Sequence, residues 1–412
     1  MKKHLLIFSL LFFIGWSLPV QAQPPDIDIT KPFLNTITTA APFLLIAPDS
    51  RSGGMGDMGV ATSADNYSQH HNPAKYVFNE DIFGIGIAYS PWLNKLVNDV
   101  HLAYLSTFWK ITDNDAIAFS LRYFTLGAIT FTDQFGGVLN DANPNEFALD
   151  FTYSRKLSEI VSMAITPRFI YSNLSAGFHH QSTQLDMKAG LAGAVDISLF
   201  VHKGFRHNAY GFKSSELMFG VNISNIGNKV SYTREEVRRD FLPCNLRLGL
   251  NYAMSFDDHN KLAIGIETGK LLVPTPSLRY LDTVANEYIY YGNGGQSLDN
   301  INSIVGIGRS FYGAPGGTAE KFREVVWSVG LEYSYRNLLF IRAGTFLENK
   351  YKGGRQFATV GVGVKYSIFA VDVCYLFSFT QAHPLENTLR FSLTFMLESF
   401  GKGQVAKQAK LR

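Results

Sequence analysis

Four segments near the C-terminal end of this 412-residue chain alternate between apolar and polar side chains. From Val325 to Arg336 the odd positions are Val325, Trp327, Val329, Leu331, Tyr333 and Tyr335, with Ser328, Gly330, Glu332, Ser334 and Arg336 between them. Residues 358–366, 369–379 and 389–395 repeat the pattern, for example Val360, Val362 and Val364 against Gly361, Gly363 and Lys365. Successive side chains of a strand point to opposite faces, so each run has one greasy and one polar face. A helical period does not produce this over several segments in a row. Similar runs lie near 82–91, 99–109, 115–125, 146–156, 160–173, 186–201, 215–226, 243–256, 260–272 and 338–347, which brings the total to about fourteen. Each is long enough to cross hydrocarbon at a tilt, which takes roughly 9–11 residues. A soluble sandwich would also alternate, but its strands average about 5–6 residues.

The expected fold is therefore all-β: a transmembrane antiparallel β-barrel of about 14 strands, an even number as bacterial single-chain barrels require. Composition agrees. Aromatic residues make up 14% of the chain and glycine reaches 36, whereas charged residues are only 17%. Past the N-terminus no segment offers the 18 or so apolar residues of a spanning helix. The net charge of +3 is too small to imply nucleic acid.

The start, Met1-Lys2-Lys3-His4 followed by an apolar stretch to Val20 and then Gln21-Ala22, has the layout of a secretory signal peptide cut after Ala22. An N-terminal membrane anchor is the other reading of these residues. The expected organisation is 1–22 signal peptide, 23–80 N-terminal hatch or plug, 81–400 barrel and 401–412 a C-terminal periplasmic tail. With the first strand entering from the periplasm, brief connections (Lys156–Glu159, Phe256–Asn260, Tyr335–Asn337, Ser367–Phe369) fall on the periplasmic side. Long ones (126–145, 174–185, 227–242, 273–324, 348–356) fall outside, as in known barrels. The stretch 202–214 breaks this rule.

By the same phasing the lumen carries Arg122, Asp150, Arg168, Asp196, Arg247, Glu267, Glu332, Arg342, Lys365, Asp372 and Arg390. Both signs are interspersed, so these charges are expected to satisfy one another within the wall; a ring of one sign would suggest an ion-selective pore. Cys244 shares parity with lipid-facing Leu246, Leu248 and Leu250, and Cys374 with lumenal Asp372, which points to two free thiols. The pairs His70-His71 and His179-His180, read as loop residues, lack the further ligands of a zinc site. The run Arg234–Arg239 reads as a solvated charge cluster in an outer loop. No catalytic constellation stands out, so no enzyme, metal or cofactor is expected.

One motif argues otherwise. Gly54-Met55-Gly56-Asp57-Met58-Gly59 is a formal G-x-G-x-x-G, preceded by an apolar run (Phe43–Ala47) and followed about twenty residues later by Glu80 and Asp81. A dinucleotide site also needs a strand–turn–helix unit. Here Pro48–Ser52 separates the apolar run from the glycines, and Ala61–Asn72 after them lacks helical periodicity. The glycines are expected instead to let irregular backbone pack inside the barrel.

Residues 24–80 do not alternate, and Asn72-Pro73-Ala74 stands just before the first strand. A plug ending in these three residues and leading into fourteen strands resembles the FadL-like superfamily of outer-membrane transporters. Within it, the stretch 41–76, with Gly53, Gly54, Gly56, Asp57, Gly59, Asn72, Pro73 and Ala74, resembles the hatch of the PorV (LptO) family of the type IX secretion system. Ala314-Pro315-Gly316-Gly317, Gly330–Tyr333, Arg342–Gly344 and Asn387–Leu393 match as well. Gly313 stands where the family pattern has an acid, and the family pattern has a bulkier aromatic near His71.

What the resemblance implies is a carrier in the outer membrane of a Gram-negative cell. Such a protein receives the C-terminal signal domain of secreted cargo at the large translocon. It delivers the cargo to a surface complex whose sortase-like protease attaches it to lipopolysaccharide. Ala314–Gly317 would then lie in a loop that contacts cargo or a partner. The alternative, from the wider superfamily, is a channel for fatty acids or other hydrophobic compounds, with an apolar pocket under the outer loops and a lateral gap in the wall.

Overall fold

A computed structural model describes residues 33–92, 99–132, 135–174, 187–207, 211, 213–233, 238–282, 287–379, 386 and 388–398. The expected signal peptide and C-terminal tail, residues 23–32 of the hatch segment, His179-His180, residues 175–185 of an outer loop, Arg234–Val237 of the charge run and Asn387 lie outside the described residues.

In chain order the strands are β1 (Asp81–Pro91), β2 (His101–Lys110), β3 (Asp115–Thr125), β4 (Ile129–Thr132), β5 (Val138–Ala142), β6 (Asn145–Lys156), β7 (Val161–Asn173), β8 (Gly190–Arg206) and β9 (Ser214–Gly227). There follow β10 (Asn245–Ser255), β11 (Asn260–Leu271), β12 (Leu278–Asp282), β13 (Glu287–Tyr291), β14 (Val325–Tyr335), β15 (Leu339–Leu347), β16 (Gln356–Tyr366), β17 (Phe369–Ser378) and β18 (Leu389–Glu398). Among the described residues, fourteen of these close an antiparallel barrel, while β4–β5 and β12–β13 are separate hairpins on two long connections. Closure is made by β1, in which Ala88 pairs with Tyr104 of β2 on one side and Ser392 of β18 on the other.

Barrel strands run from 9 to 17 residues, the length a membrane crossing needs. Their accessibility alternates as the sequence does. Ile87, Phe119, Phe151, Val362 and Phe391 are exposed outward, while Ser106, Ser120, Thr152, Ser198 and Ser392 are buried inward. The turn between β14 and β15 shows why one end of the barrel is tight. Arg336 and Asn337 both take positive φ (55° and 51°), and Leu338 N–H donates to Tyr335 O at 3.0 Å, the geometry that continues a twisted hairpin.

The expected exception at 202–214 is resolved by a longer strand. β8 begins at Gly190 rather than near 186 and continues to Arg206, past Val201, so the connection to β9 is shortened to 207–213. All connections of β2–β3, β6–β7, β8–β9, β10–β11, β14–β15 and β16–β17 are then short and lie at one end, with the long loops at the other.

The plug does more than fold into the mouth. Asn35 N–H donates to Tyr351 O at the long-loop end. A 3-10 turn at Pro42–Leu45 then sets Phe43 and Leu44 against Leu102, Phe124, Ile170 and Leu242. Helices α1 (Ser50–Gly53) and α2 (Ser68–His71) follow. A last 3-10 turn, Pro73–Phe78, stacks Tyr76 on Phe108 at 4.9 Å toward the short-turn end, where β1 begins. The segment therefore runs through the lumen from the long-loop end to the short-turn end.

Candidate functional site

The plug meets the wall backbone to backbone, and glycine on both sides makes that approach possible. Gly56 has φ +70°, and a Cβ on it would enter the backbone of Thr345. Its N–H donates to Thr359 Oγ1 at 3.0 Å. A Cβ on Gly54 would lie 3.0 Å from the Cα of Gly361. The wall answers with Gly330 and Gly344, where a Cβ would strike Met55. Gly53 faces Cys374 and Arg390, and Gly59 the ring of His71. The formal cofactor motif is thus a packing element.

Asn72 ties the other end of the plug. Its Oδ1 accepts from Ala74 N–H (3.1 Å), capping the turn, and its Nδ2 donates to Val60 O and Leu199 O, both at 3.0 Å. Pro73 takes the first position of the turn, where a missing N–H costs nothing. Ala74 is wholly buried among Ala164, Phe200, Met218 and Ala253, and its carbonyl accepts from Ser162 Oγ at 2.6 Å.

Every lumenal charge expected from parity points inward, but the wall does not simply satisfy itself. Arg168 does so: it bonds Asp150 (2.6 Å) and Asp196 (3.0 Å) on the flanking strands. So in part does Arg342, which bonds Glu332 (2.7 Å) and reaches over β16 to Asp372 (2.5 Å), because Gly363 leaves the space. Except for Lys365, the others are spent on the plug. Glu332 takes a two-pronged bond from Arg51 (2.9 and 3.0 Å), which also binds Asp65 at 2.8 Å. Glu267, paired with Arg247, accepts the N–H groups of Gly59 and Val60, each at 2.8 Å. Arg390 binds Asp57, and Arg122 donates to Leu44 O (2.7 Å) and His70 Nδ1 (2.5 Å). A charged lumen of this kind needs its partners, because a buried ion left alone is strongly destabilising. Lys365 lines a cavity of about 340 Å³ on the short-turn side, together with Asp65, Glu216, Asn251 and Lys261.

Several plug residues with decisive contacts escaped the sequence reading, because no periodicity marks them. His70 and His71 do not lie in a loop; they form the last turn of α2 and are engaged individually. His71 Nε2 donates to Asp49 Oδ1 at 3.1 Å, and Asp49 also accepts from Ser52 Oγ (2.6 Å) and Ser52 N–H (2.8 Å). Burial alone would raise the Asp49 carboxyl; the bond and charge of His71 and the Ser52 bonds outweigh it and hold the group well below the usual range. A bulkier aromatic at 71 would lose this pair. Lys75 is completely buried, and its Nζ donates to Gly59 O (2.7 Å) and Thr62 Oγ1 (3.1 Å). Burial pushes its ammonium down to about 8. Among the described residues no three potential ligands gather to hold a metal.

Cys374 is lumenal as expected, but Cys244 does not face lipid. It precedes β10, and its N–H donates to Leu242 O, so strand parity does not apply and the thiol is buried. Both cysteines are free.

At the long-loop end the β11–β14 connection folds over the mouth with α3 (Ser303–Arg309) and α4 (Gly317–Arg323). Ala314–Gly317 is the turn between them. Ala314 is buried, Gly317 N–H donates to Ala314 O (3.1 Å), and Gly316 N–H donates to Glu320 Oε2 (2.7 Å). Gly313 admits no side chain, since a Cβ would crowd Asn293 and the Arg309 carbonyl. Glu320 accepts from Asn35 (3.0 Å) and Lys352 (2.5 Å); Glu324 accepts from Lys270 (2.7 Å) and Thr275 (2.5 Å). Burial would raise Glu324, yet these partners hold it below its ordinary range. One buried network thus joins the plug's start, this loop and the β15–β16 loop.

Residues 30–278, more than half of the chain, match the family model described as type IX secretion system protein PorV. No curated protein sequence matches. Among solved structures, the chain is similar to the toluene transporter TbuX of Ralstonia pickettii (9% identity, TM-score 0.46, covering 85% of this chain and 98% of that one). It is also similar to the toluene transporter TodX of Pseudomonas putida (11%, 0.43, 89% and 98%) and to a Pseudomonas aeruginosa FadL homologue (10%, 0.41, 89% and 100%).

Proposed function

Because the chain belongs to the PorV family of type IX secretion system proteins, we propose that it is a non-enzymatic cargo carrier of the Gram-negative outer membrane, exported by a cleaved signal peptide. It takes the C-terminal signal domain of secreted proteins at the translocon. It then presents them to the sortase-like attachment complex, which joins them to lipopolysaccharide. The observation that carries this reading is the plug. It is held by charged contacts along the lumen (Glu332, Glu267, Arg390, Arg122) and by the Glu320–Lys352 network at the mouth, which leaves the long-loop surface as the working face.

A channel for hydrophobic compounds remains the second reading. One observation favours it: pairing of β6 with β7 lapses opposite Pro167, which has no N–H to give. From inside, however, Thr152 and Thr166 bond each other (2.5 Å) and Gln69 bonds Thr152 (2.8 Å). The apolar space beneath the long loops is filled by Phe43 and Leu44.

Purification in mild detergent separates the two. Recovery of proteins bearing a common C-terminal domain, with loss of their surface display on deletion of the gene, supports the carrier. Bound lipid, normal display and lost growth on fatty acids would overturn it.

A further inference from the structure

Between the plug and the wall, the short-turn half of the lumen holds the cavity of about 340 Å³, within the range of roughly 300–1,000 Å³ that ligand sites occupy. It exists because inward positions on four strands are small: Ala253 on β10, Ala263 on β11, Ser334 on β14 and Ala370 on β17. Polar groups around it lack partners. Asn251 is 3% exposed, yet its Oδ1 accepts no hydrogen bond among the described residues. Native proteins seldom leave a buried amide so. On the plug side, Ser63 N–H and both backbone groups of Ala64 also make none among the described residues, although Ser63 O accepts from Arg51 at 3.1 Å. Water answers such groups where it finds about two to four polar neighbours. Much of this lining is apolar instead, with Met55 of the plug, Met218 of β9, Met396 of β18 and Phe340 of β15. Methionine packs adaptably against varied apolar partners.

We propose that this cavity binds a short extended peptide with a basic side chain, a segment of a periplasmic protein that enters from the short-turn side. Short turns mark the periplasmic end of such barrels. A peptide main chain offers N–H and C=O groups together. It therefore supplies the donor that Asn251 Oδ1 lacks and the partners that Ser63 and Ala64 lack, as an added strand does. The charge agrees, since six carboxylates and four Lys or Arg side chains line the space. The deeper carboxylates already hold cations: Asp65 has Arg51, Glu216 has Lys261 and Asp372 has Arg342. Glu80 is exposed at the mouth, where the incoming cation would meet it. A polyamine would answer the carboxylates but leave the N–H groups of Ser63 and Ala64 unmet. The site lies away from the long-loop surface and does not depend on the carrier reading.

The test titrates the full-length protein in nanodiscs, which leave the periplasmic end open, with a capped Ala-Lys-Ala-Lys-Ala peptide. Wild type should bind it, and should bind a capped Ala-Glu-Ala-Glu-Ala peptide about 10-fold more weakly or worse. Asn251→Leu should weaken binding about 10-fold, the effect of losing one buried hydrogen bond. N-methylation of the peptide's central amides should weaken it at least as much. Ala263→Trp fills the space and should abolish binding, with heat-modifiable migration showing that both variant barrels are folded. A diazirine on the lysine peptide should label residues 62–66 of the plug or strands β10 and β11. Failure of wild type to bind the lysine peptide, or unchanged affinity in Ala263→Trp, overturns the site. Equal affinity for the two peptides overturns the basic ligand. Unchanged affinity after N-methylation, or uptake of spermidine without the peptide, overturns the main-chain pairing and with it the peptide.

Discussion

Arg390 Nη1, on the last strand of the barrel, donates to Asp57 Oδ1 of the plug at 2.5 Å, across 333 residues of sequence. Arg390 is 2% exposed, and Asp57 holds its carboxylate there from a left-handed backbone (φ 59°). The wall contributes the cation and the plug the anion, so neither is complete alone. Barrel and plug fold as one object.

Removing one partner should therefore cost more than removing both. Asp57→Asn or Arg390→Met should each destabilise the barrel by about 3–5 kcal/mol, the usual consequence of stranding a buried charge. The double variant should recover part of that loss. Thermal unfolding in detergent, followed by heat-modifiable migration, reads all three. Additive losses would mean that the two residues are not coupled.

The glycine contacts predict a sharp positional contrast. Gly56→Ala meets both a positive φ and the backbone of Thr345, and Gly344→Ala meets the backbone of Met55. Either should prevent assembly or lower stability by several kcal/mol, about the upper range for single substitutions. Gly193→Ala, where a Cβ finds open space, should be within about 0.5 kcal/mol of wild type. Yield of heat-modifiable barrel ranks them, and equal yields would sink the backbone-contact account.

Strand number, facing and the lumenal charges were legible because alternation is a local signal. Val325–Tyr335 reads the same in sequence and structure, and so does the parity of Arg168 or Arg342. What those charges bind was not legible. Arg51, Asp65, His71 and Lys75 sit in a segment without a period; their partners are other residues of that same segment, such as Asp49 for His71 and Gly59 for Lys75, or lie far away in the chain, as Glu332 does for Arg51. Cys244 misled for the same reason: parity was extended one residue beyond the end of a strand. At the mouth, Ala314–Gly317 was visible as a motif. Its role as the turn between two helices depends on Glu320 and Glu324 finding cations elsewhere, Lys352 on the β15–β16 loop and Lys270 on strand β11.

The buried thiols should be silent in the native state. Burial pushes Cys244 up to about 12, and Cys374 lies against Gly53 and Arg390 inside the barrel. Maleimide should label neither cysteine in the folded barrel and both after heat unfolding, with mass spectrometry as the readout. Labelling of Cys244 in folded protein would place it on the outer surface after all.

Lys75 gives a pH dependence with a definite sign. Its folded value of about 8 lies below its ordinary 10.5 because burial disfavours the ammonium. Between those limits the unfolded chain binds more protons than the folded one, so this residue makes stability rise with pH from about 8 to 10.5. Below 8 its penalty is constant. Lys75→Met loses the bonds to Gly59 O and Thr62 at every pH, but it also escapes the cost of burying a charge. Relative to wild type, the variant should therefore fare better at pH 7 than at pH 10.5, by on the order of 3 kcal/mol at most. Taking the difference between the two proteins cancels the titration of tyrosines such as Tyr67 and Tyr76, whose burial raises them in both. A difference that stays flat across pH 7 to 10.5 would show that Lys75 carries its proton at no cost, and that the plug around Gly59 is wetter than its packing implies.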